Sequence, residues 1–117
     1  MNNASRGATI ALKGDICDQL ESDILYYDWI DQTAIEYFAP LSDDDRLDVV
    51  ISMISSLVDD GVIVVGDARL AEDIVVIDAW SETGDALVIR MRDTVLSHSG
   101  EDRLYCFWIQ KREHYLS

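Results

Sequence analysis

Apolar residues recur at helical spacing through the first half of this chain and gather into short β-branched runs in the second. From about Gly14 to Tyr27 the apolar positions are Ile16, Leu20, Ile24 and Tyr27, with Cys17 beside them and Asp15, Asp18, Glu21 and Asp23 between them. That spacing predicts an amphipathic helix. Asp28-Trp29-Ile30 interrupts the pattern and offers a minimal strand at Trp29-Ile30, and Asp31 suits the N-cap of a short second helix with Ala34, Ile35 and Phe38 on one face. Pro40 closes it. The third helix has the clearest signal. Ser42 with Asp45 three residues on forms a variant of the capping box, and Asp43, Asp44 and Asp45 fall in the first turn, where the helix dipole favours negative charge. Leu47, Val50, Ile51, Ile54, Leu57 and Val58 continue as one stripe, and Gly61 supplies the stop.

Beyond Gly61 the periodicity changes. Val62 to Val65, ended by Gly66-Asp67, and Ile74 to Ile77 read as the two strands of a hairpin joined by a loop of roughly eight residues with Ala68 to Asp73 at its centre. Ser81 suits the N-cap of a fourth helix reaching about Leu96, with Leu87, Val88, Met91 and Val95 on its apolar side. Ser97 to Asp102 is a polar loop, and Leu104 to Ile109 fits a third strand. The expected class is α+β, in the order α-α-α-β-β-α-β with a small antiparallel sheet. Residues 1–7 read as a loose polar tail and residues 8–117 as a single domain, since a chain of 117 residues that is 49% hydrophobic suits one core.

Three helices followed by a hairpin is the plan of a winged helix-turn-helix domain. The segment Leu57-Val58-Asp59-Asp60-Gly61-Val62-Ile63-Val64-Val65-Gly66-Asp67-Ala68 resembles the end of the third helix and the start of the wing in small winged-helix proteins of actinobacterial type. Asp78-Ala79-Trp80, a helix of about 15 residues and Tyr105-Cys106-Phe107-Trp108 follow in similar order. The resemblance spans about Asp15 to Ile109 and rests on structural motifs, so it implies a winged-helix-like fold and no activity.

Charge alters what such a fold can do. Between Asp15 and Asp60 the chain has thirteen acidic residues and one basic residue, Arg46, which leaves that stretch at −12 of the chain's −14. A third helix entering a DNA groove needs donors, and this one offers Ser52, Ser55, Ser56 and Arg46 against Asp43, Asp44, Asp45, Asp48, Asp59 and Asp60. Arg69 in the wing is surrounded by Asp67, Glu72 and Asp73, and Arg90 and Arg92 are two apart, hence on different faces of the fourth helix. Binding to nucleic acid is disfavoured.

Catalytic patterns are sparse. His98 and His114 are the only histidines, and no metalloprotease, EF-hand, phosphate-loop or dinucleotide-binding motif is present. The run His98-Ser99-Gly100-Glu101-Asp102 reads as a solvated loop rather than a metal or acid–base cluster. Cys17 and Cys106 read as buried reduced thiols. No cofactor, metal ligand or catalytic residue is expected. The N-terminus has no secretory signal and no segment has the length of a membrane span, so a cytoplasmic location is expected.

What survives is a protein-interaction module presenting an acidic face, with Asp18, Glu21, Asp44, Asp48, Asp59 and Asp60 as candidate partner-binding residues. The most concrete form is an immunity protein or antitoxin whose carboxylates occupy the basic cleft of a toxin, such as a nuclease. Two alternatives stand beside it: a winged-helix regulator that binds DNA, and an acidic domain that homodimerises through apolar surface. Trp29 and Trp108 are expected in the core, with Trp80 undecided between core and interface.

Overall fold

The computed structural model describes residues 3–115, with side chains described from 7 onward. Its order is α1 (Asn3–Leu20), β1 (Leu25–Tyr26), α2 (Tyr27–Phe38), α3 (Asp43–Asp59), β2 (Ile63–Ala71), β3 (Ile74–Ala79), α4 (Gly84–Ser97), α5 (Glu101–Leu104), β4 (Trp108–Lys111) and a closing 3₁₀ turn, Arg112–His114. The class is α+β, with a four-stranded antiparallel sheet in the order β1-β4-β2-β3.

α3 follows the sequence closely. Ser42 accepts a hydrogen bond from the Asp45 amide at 3.2 Å, and Gly61 follows the helix at φ +75°, a conformation that glycine adopts without a Cβ clash. Leu47, Val50, Ile51, Ile54 and Leu57 are all buried.

Elsewhere the boundaries move, each for a local reason. Residues 3–7 extend α1 in place of the expected tail, while Met1 and Asn2 lie outside the described residues. Ala8 and Leu12 carry the stripe of Ile16 and Leu20 back by two turns, and both pack on the core. α2 starts at Tyr27 rather than after Asp31, so Trp29 and Ile30 are helical and the minimal strand is Leu25–Tyr26. The Tyr27 amide, one of the helix's orphan donors, bonds to the Phe107 carbonyl at 3.0 Å, so no side-chain cap is needed there.

The expected loop between the hairpin strands is a two-residue turn. Glu72 and Asp73 have φ of 53° and 67°, the sign that a tight hairpin connection requires, and pairing runs without a break from Gly66↔Ala79 to Ala71↔Ile74. The fourth helix begins at Gly84, with Thr83 rather than Ser81 at its N-cap. Leu104 closes the one-turn α5, and the last strand starts only at Trp108.

One face of the sheet forms the floor of the core. Leu25, Ile109 and Val65 lie in a single cross-strand row and are all buried. Ile16, Ile30, Ile51, Met91 and Phe107 close over it from the helices and the segment before β4. Phe107 is fully enclosed, with Tyr27 and Trp80 rings tilted against it at centroid distances of 5.3 and 5.9 Å. The hairpin β2–β3 projects from this body, and the chain measures 45 × 29 × 24 Å.

Candidate functional site

Among the described residues, five bases pair with acids of the same chain. Arg46 forks onto Asp31 with Nε to Oδ1 at 2.9 Å and also reaches Asp43 at 3.0 Å. Arg69 pairs with Asp78 at 2.9 Å across the hairpin, and Arg90 grips Glu82 at 2.8 Å while its guanidinium sits 4.1 Å over the Trp80 ring. Arg92 pairs with Asp48, and Lys111 pairs with Glu21. These contacts shift the groups in the expected directions: the Arg90 fork holds Glu82 below the usual carboxylate range, and the Lys111 hydrogen bond does the same for Glu21. Lys13 bonds to the Ser56 hydroxyl at 3.2 Å, and Arg103 to the His98 carbonyl at 2.8 Å.

The six candidate residues therefore divide. All are exposed. Glu21 and Asp48 are already paired, whereas Asp18, Asp44, Asp59 and Asp60 make no ion pair among the described residues. They do not form one patch along α3: Asp44 lies in its first turn and Asp59 and Asp60 at its far end, roughly 22 Å away at helical rise. Asp44 instead joins a group that sequence reasoning misses. The N-terminal turns of α2 and α3 meet, so that Asp28, Asp31, Asp43 and Asp44 line one small cleft with Arg46 and Arg103. The stretch of chain between Asp31 and Asp43 hides that convergence from the sequence. The lone base Arg46, set among acids, is the one hint of it.

The surface that would face a DNA groove is further depleted. α4 packs along α3, burying Leu87, Met91 and Val95. Ser55 is buried with its hydroxyl directed to the Gly84 carbonyl at 3.4 Å, and Ser56 is occupied by Lys13. Of the three hydroxyls on this helix, Ser52 alone stays exposed and unengaged among the described residues.

The loop of His98, Glu101 and Asp102 does meet other chemistry. With Asp67, Ala68, Tyr105, Cys106 and Trp108 it lines an open cleft of about 550 Å³. A cysteine–histidine pair in a cleft invites a nucleophilic reading, but the environment runs the wrong way. Burial pushes the Cys106 thiol up to about 11, opposing the thiolate that a nucleophile needs. His98 Nδ1 lies 2.6 Å from the Thr94 carbonyl, so that nitrogen carries a proton and donates it there. Among the described residues no group of three or more His, Cys, Asp or Glu is arranged to hold a metal ion.

The cysteine environment carries a testable consequence. Both thiols are free and half-buried. Folding raises Cys106 from its ordinary 9.0 to about 11, so the stability it contributes is complete below about pH 9 and is lost as pH climbs to about 11. Urea midpoints should fall across that window and fall less in Cys106→Ala. The residual slope is shared by other groups that folding also raises: Cys17 and Tyr27 chiefly by burial, Tyr37 by its hydrogen bond to Asp15 and Lys111 by its hydrogen bond to Glu21.

Compared with models of protein families, with curated proteins and with solved structures, the chain matches none. No helix among the described residues is long and apolar enough to cross a membrane.

Proposed function

We propose that this chain is a cytoplasmic protein-interaction module, built on a winged-helix-like scaffold, that binds a basic protein partner. The order α1-β1-α2-α3-β2-β3 supports the scaffold reading, with β4 added between β1 and the hairpin and α4 laid against α3. The observation that carries the functional reading is the direction of the charges. Among the described residues, five bases are held in intramolecular ion pairs, while acids such as Asp18, Asp44, Asp59 and Asp60 are left facing solvent. A surface of that kind repels a phosphate backbone and attracts a basic cleft over a Debye length, speeding encounter.

An immunity protein or antitoxin is the most concrete form of this reading, the partner being a toxin whose substrate site is basic. The test is association with the purified product of the neighbouring reading frame, followed at about 50 mM and about 500 mM NaCl. The expected result is stoichiometric binding whose on-rate drops about tenfold or more with salt. It should drop similarly in a variant carrying Asp44→Lys, Asp59→Lys and Asp60→Lys. Genomic DNA fragments shifted by the protein at low salt, with no protein partner bound, would instead establish the regulator.

A further inference from the structure

The outer edge of the hairpin is unprotected, and its composition fits another copy of itself. β3 is the terminal strand of the sheet, with β2 as its hydrogen-bonded neighbour. The phase of that ladder is fixed by the Trp80 amide, which donates to the Val65 carbonyl at 2.8 Å. Counting back in an antiparallel ladder, Ile74, Val76 and Asp78 direct their main-chain groups to β2, whereas Val75, Ile77 and Ala79 direct theirs outward. Edges are normally guarded by lysine, proline, a bulge or an inward charge. Ile74-Val75-Val76-Ile77 has none of these. Of the seven large apolar side chains exposed among the described residues, three sit on this hairpin: Leu70, Ile74 and Val75, at 74%, 64% and 36% exposure.

The geometry points to a two-fold dimer in which β3 pairs antiparallel with β3 of a second copy, making one continuous sheet. The register is set by two conditions. Centring the axis on Ile77 uses every outward-facing residue: Ile77 pairs with its own equivalent and Val75 with the second copy's Ala79, each exchanging two main-chain hydrogen bonds. Shifting the axis to Asp78 would oppose two like charges directly, which is destabilising. In the Ile77 register Val76 faces the second copy's Asp78, and Arg69, which shares a cross-strand row with Val76, lies in line with that carboxylate. Each Asp78 already holds its own Arg69 at 2.9 Å, so the carboxylate that faces Val76 is paired within its own copy. Exposed Ile74 comes opposite the second copy's Trp80, giving that half-buried ring an interface role beside its contact with Phe107.

Charge supplies the test. Two chains of net −14 repel, so this dimer strengthens as salt screens them, the reverse of docking to a basic partner. A strand-to-strand seam of this length falls at the low end of interface sizes, below about 1,200 Å² in total, and a micromolar dissociation constant is expected. Sedimentation equilibrium of the full chain at up to about 100 μM should show a monomer–dimer equilibrium that shifts towards dimer between about 50 mM and about 500 mM NaCl. Val75→Lys, which places a charge on the open edge without touching the core, should leave the protein monomeric at every salt concentration while circular dichroism and the urea midpoint stay near wild type. Should Val75→Lys unfold the hairpin, Ile74→Lys on the opposite face of the strand serves as the second variant. A wild type that stays monomeric, a dimer that dissociates as salt rises, or a dimer that survives in the folded lysine variant would each overturn the proposal.

Discussion

Gly66→Ala should cost at least about 3 kcal/mol of stability, more than a single added methyl usually does. Gly66 pairs with Trp108 of β4 on one side and with Ala79 of β3 on the other, so it joins the projecting hairpin to the rest of the sheet. A Cβ at this position would lie 2.1 Å from the Asp78 carbonyl oxygen, 2.7 Å from its carbon and 2.8 Å from the Ala79 Cα. All three are backbone atoms in a paired strand and cannot turn aside as a side chain would. The two strands must separate, and the ladder bonds around Asp67↔Asp78 lengthen with them. Gly61 provides the contrast. It has φ +75° and nothing within 4 Å of where an added methyl would sit, so Gly61→Ala meets only the left-handed conformational penalty of about 1 kcal/mol. Urea unfolding of both variants separates the two causes. Equal losses would mean that the close approach at Gly66 relaxes freely.

This contrast also marks where the sequence is readable. Both glycines flank the same β-rich run and look alike as punctuation between apolar segments. Gly61 reads correctly as a helix stop because its role is local. Gly66 reads as the end of a strand, although it sits inside one, because its neighbours Asp78 and Ala79 are far along the chain. The hairpin strands read too short for a related reason. Asp67, Arg69 and Glu72 are polar, and polarity suggests a loop, but past Gly66 the hairpin strands bury only Ile77, so no continuous buried face imposes alternation there. The helical half is more legible, since stripes such as Leu47 to Leu57 follow from burial against one neighbour. The start of α2 is the exception there, because it is set by the Phe107 carbonyl near the other end of the chain. The acidic character of the surface is open to view from composition alone. Its partition into paired and unpaired carboxylates is not, because Arg92 reaches Asp48 and Lys111 reaches Glu21 across 44 and 90 residues.

Arg46→Met should lower stability by about 2–3 kcal/mol at neutral pH. Arg46 and Asp31 are only 11% and 14% exposed at their side chains, and the guanidinium is further held by Asp43, so its pKa lies above the ordinary arginine value. Removing the cation leaves Asp31 enclosed beside Asp28, Asp43 and Asp44 in the cleft between α2 and α3, with no fork to satisfy it, since Arg103, the other cation lining the cleft, is bonded to the His98 carbonyl. The loss falls at the lower end for a broken buried pair because Asp43 remains 92% exposed and stays solvated. Adding Asp31→Leu to Arg46→Met should restore most of the loss, since two apolar side chains of suitable volume replace a buried pair at little net cost. A double mutant no more stable than Arg46→Met alone would show that the guanidinium acts through packing rather than charge. The same variant probes function with the opposite sign. Arg46 is the single base in the Asp15–Asp60 stretch, so its removal makes that stretch one unit more negative and leaves the exposed Asp43 carboxylate unpaired. A folded Arg46→Met protein should therefore meet a basic partner slightly faster than wild type even as it unfolds at lower urea. A fall in both quantities would place Arg46 itself in the interface.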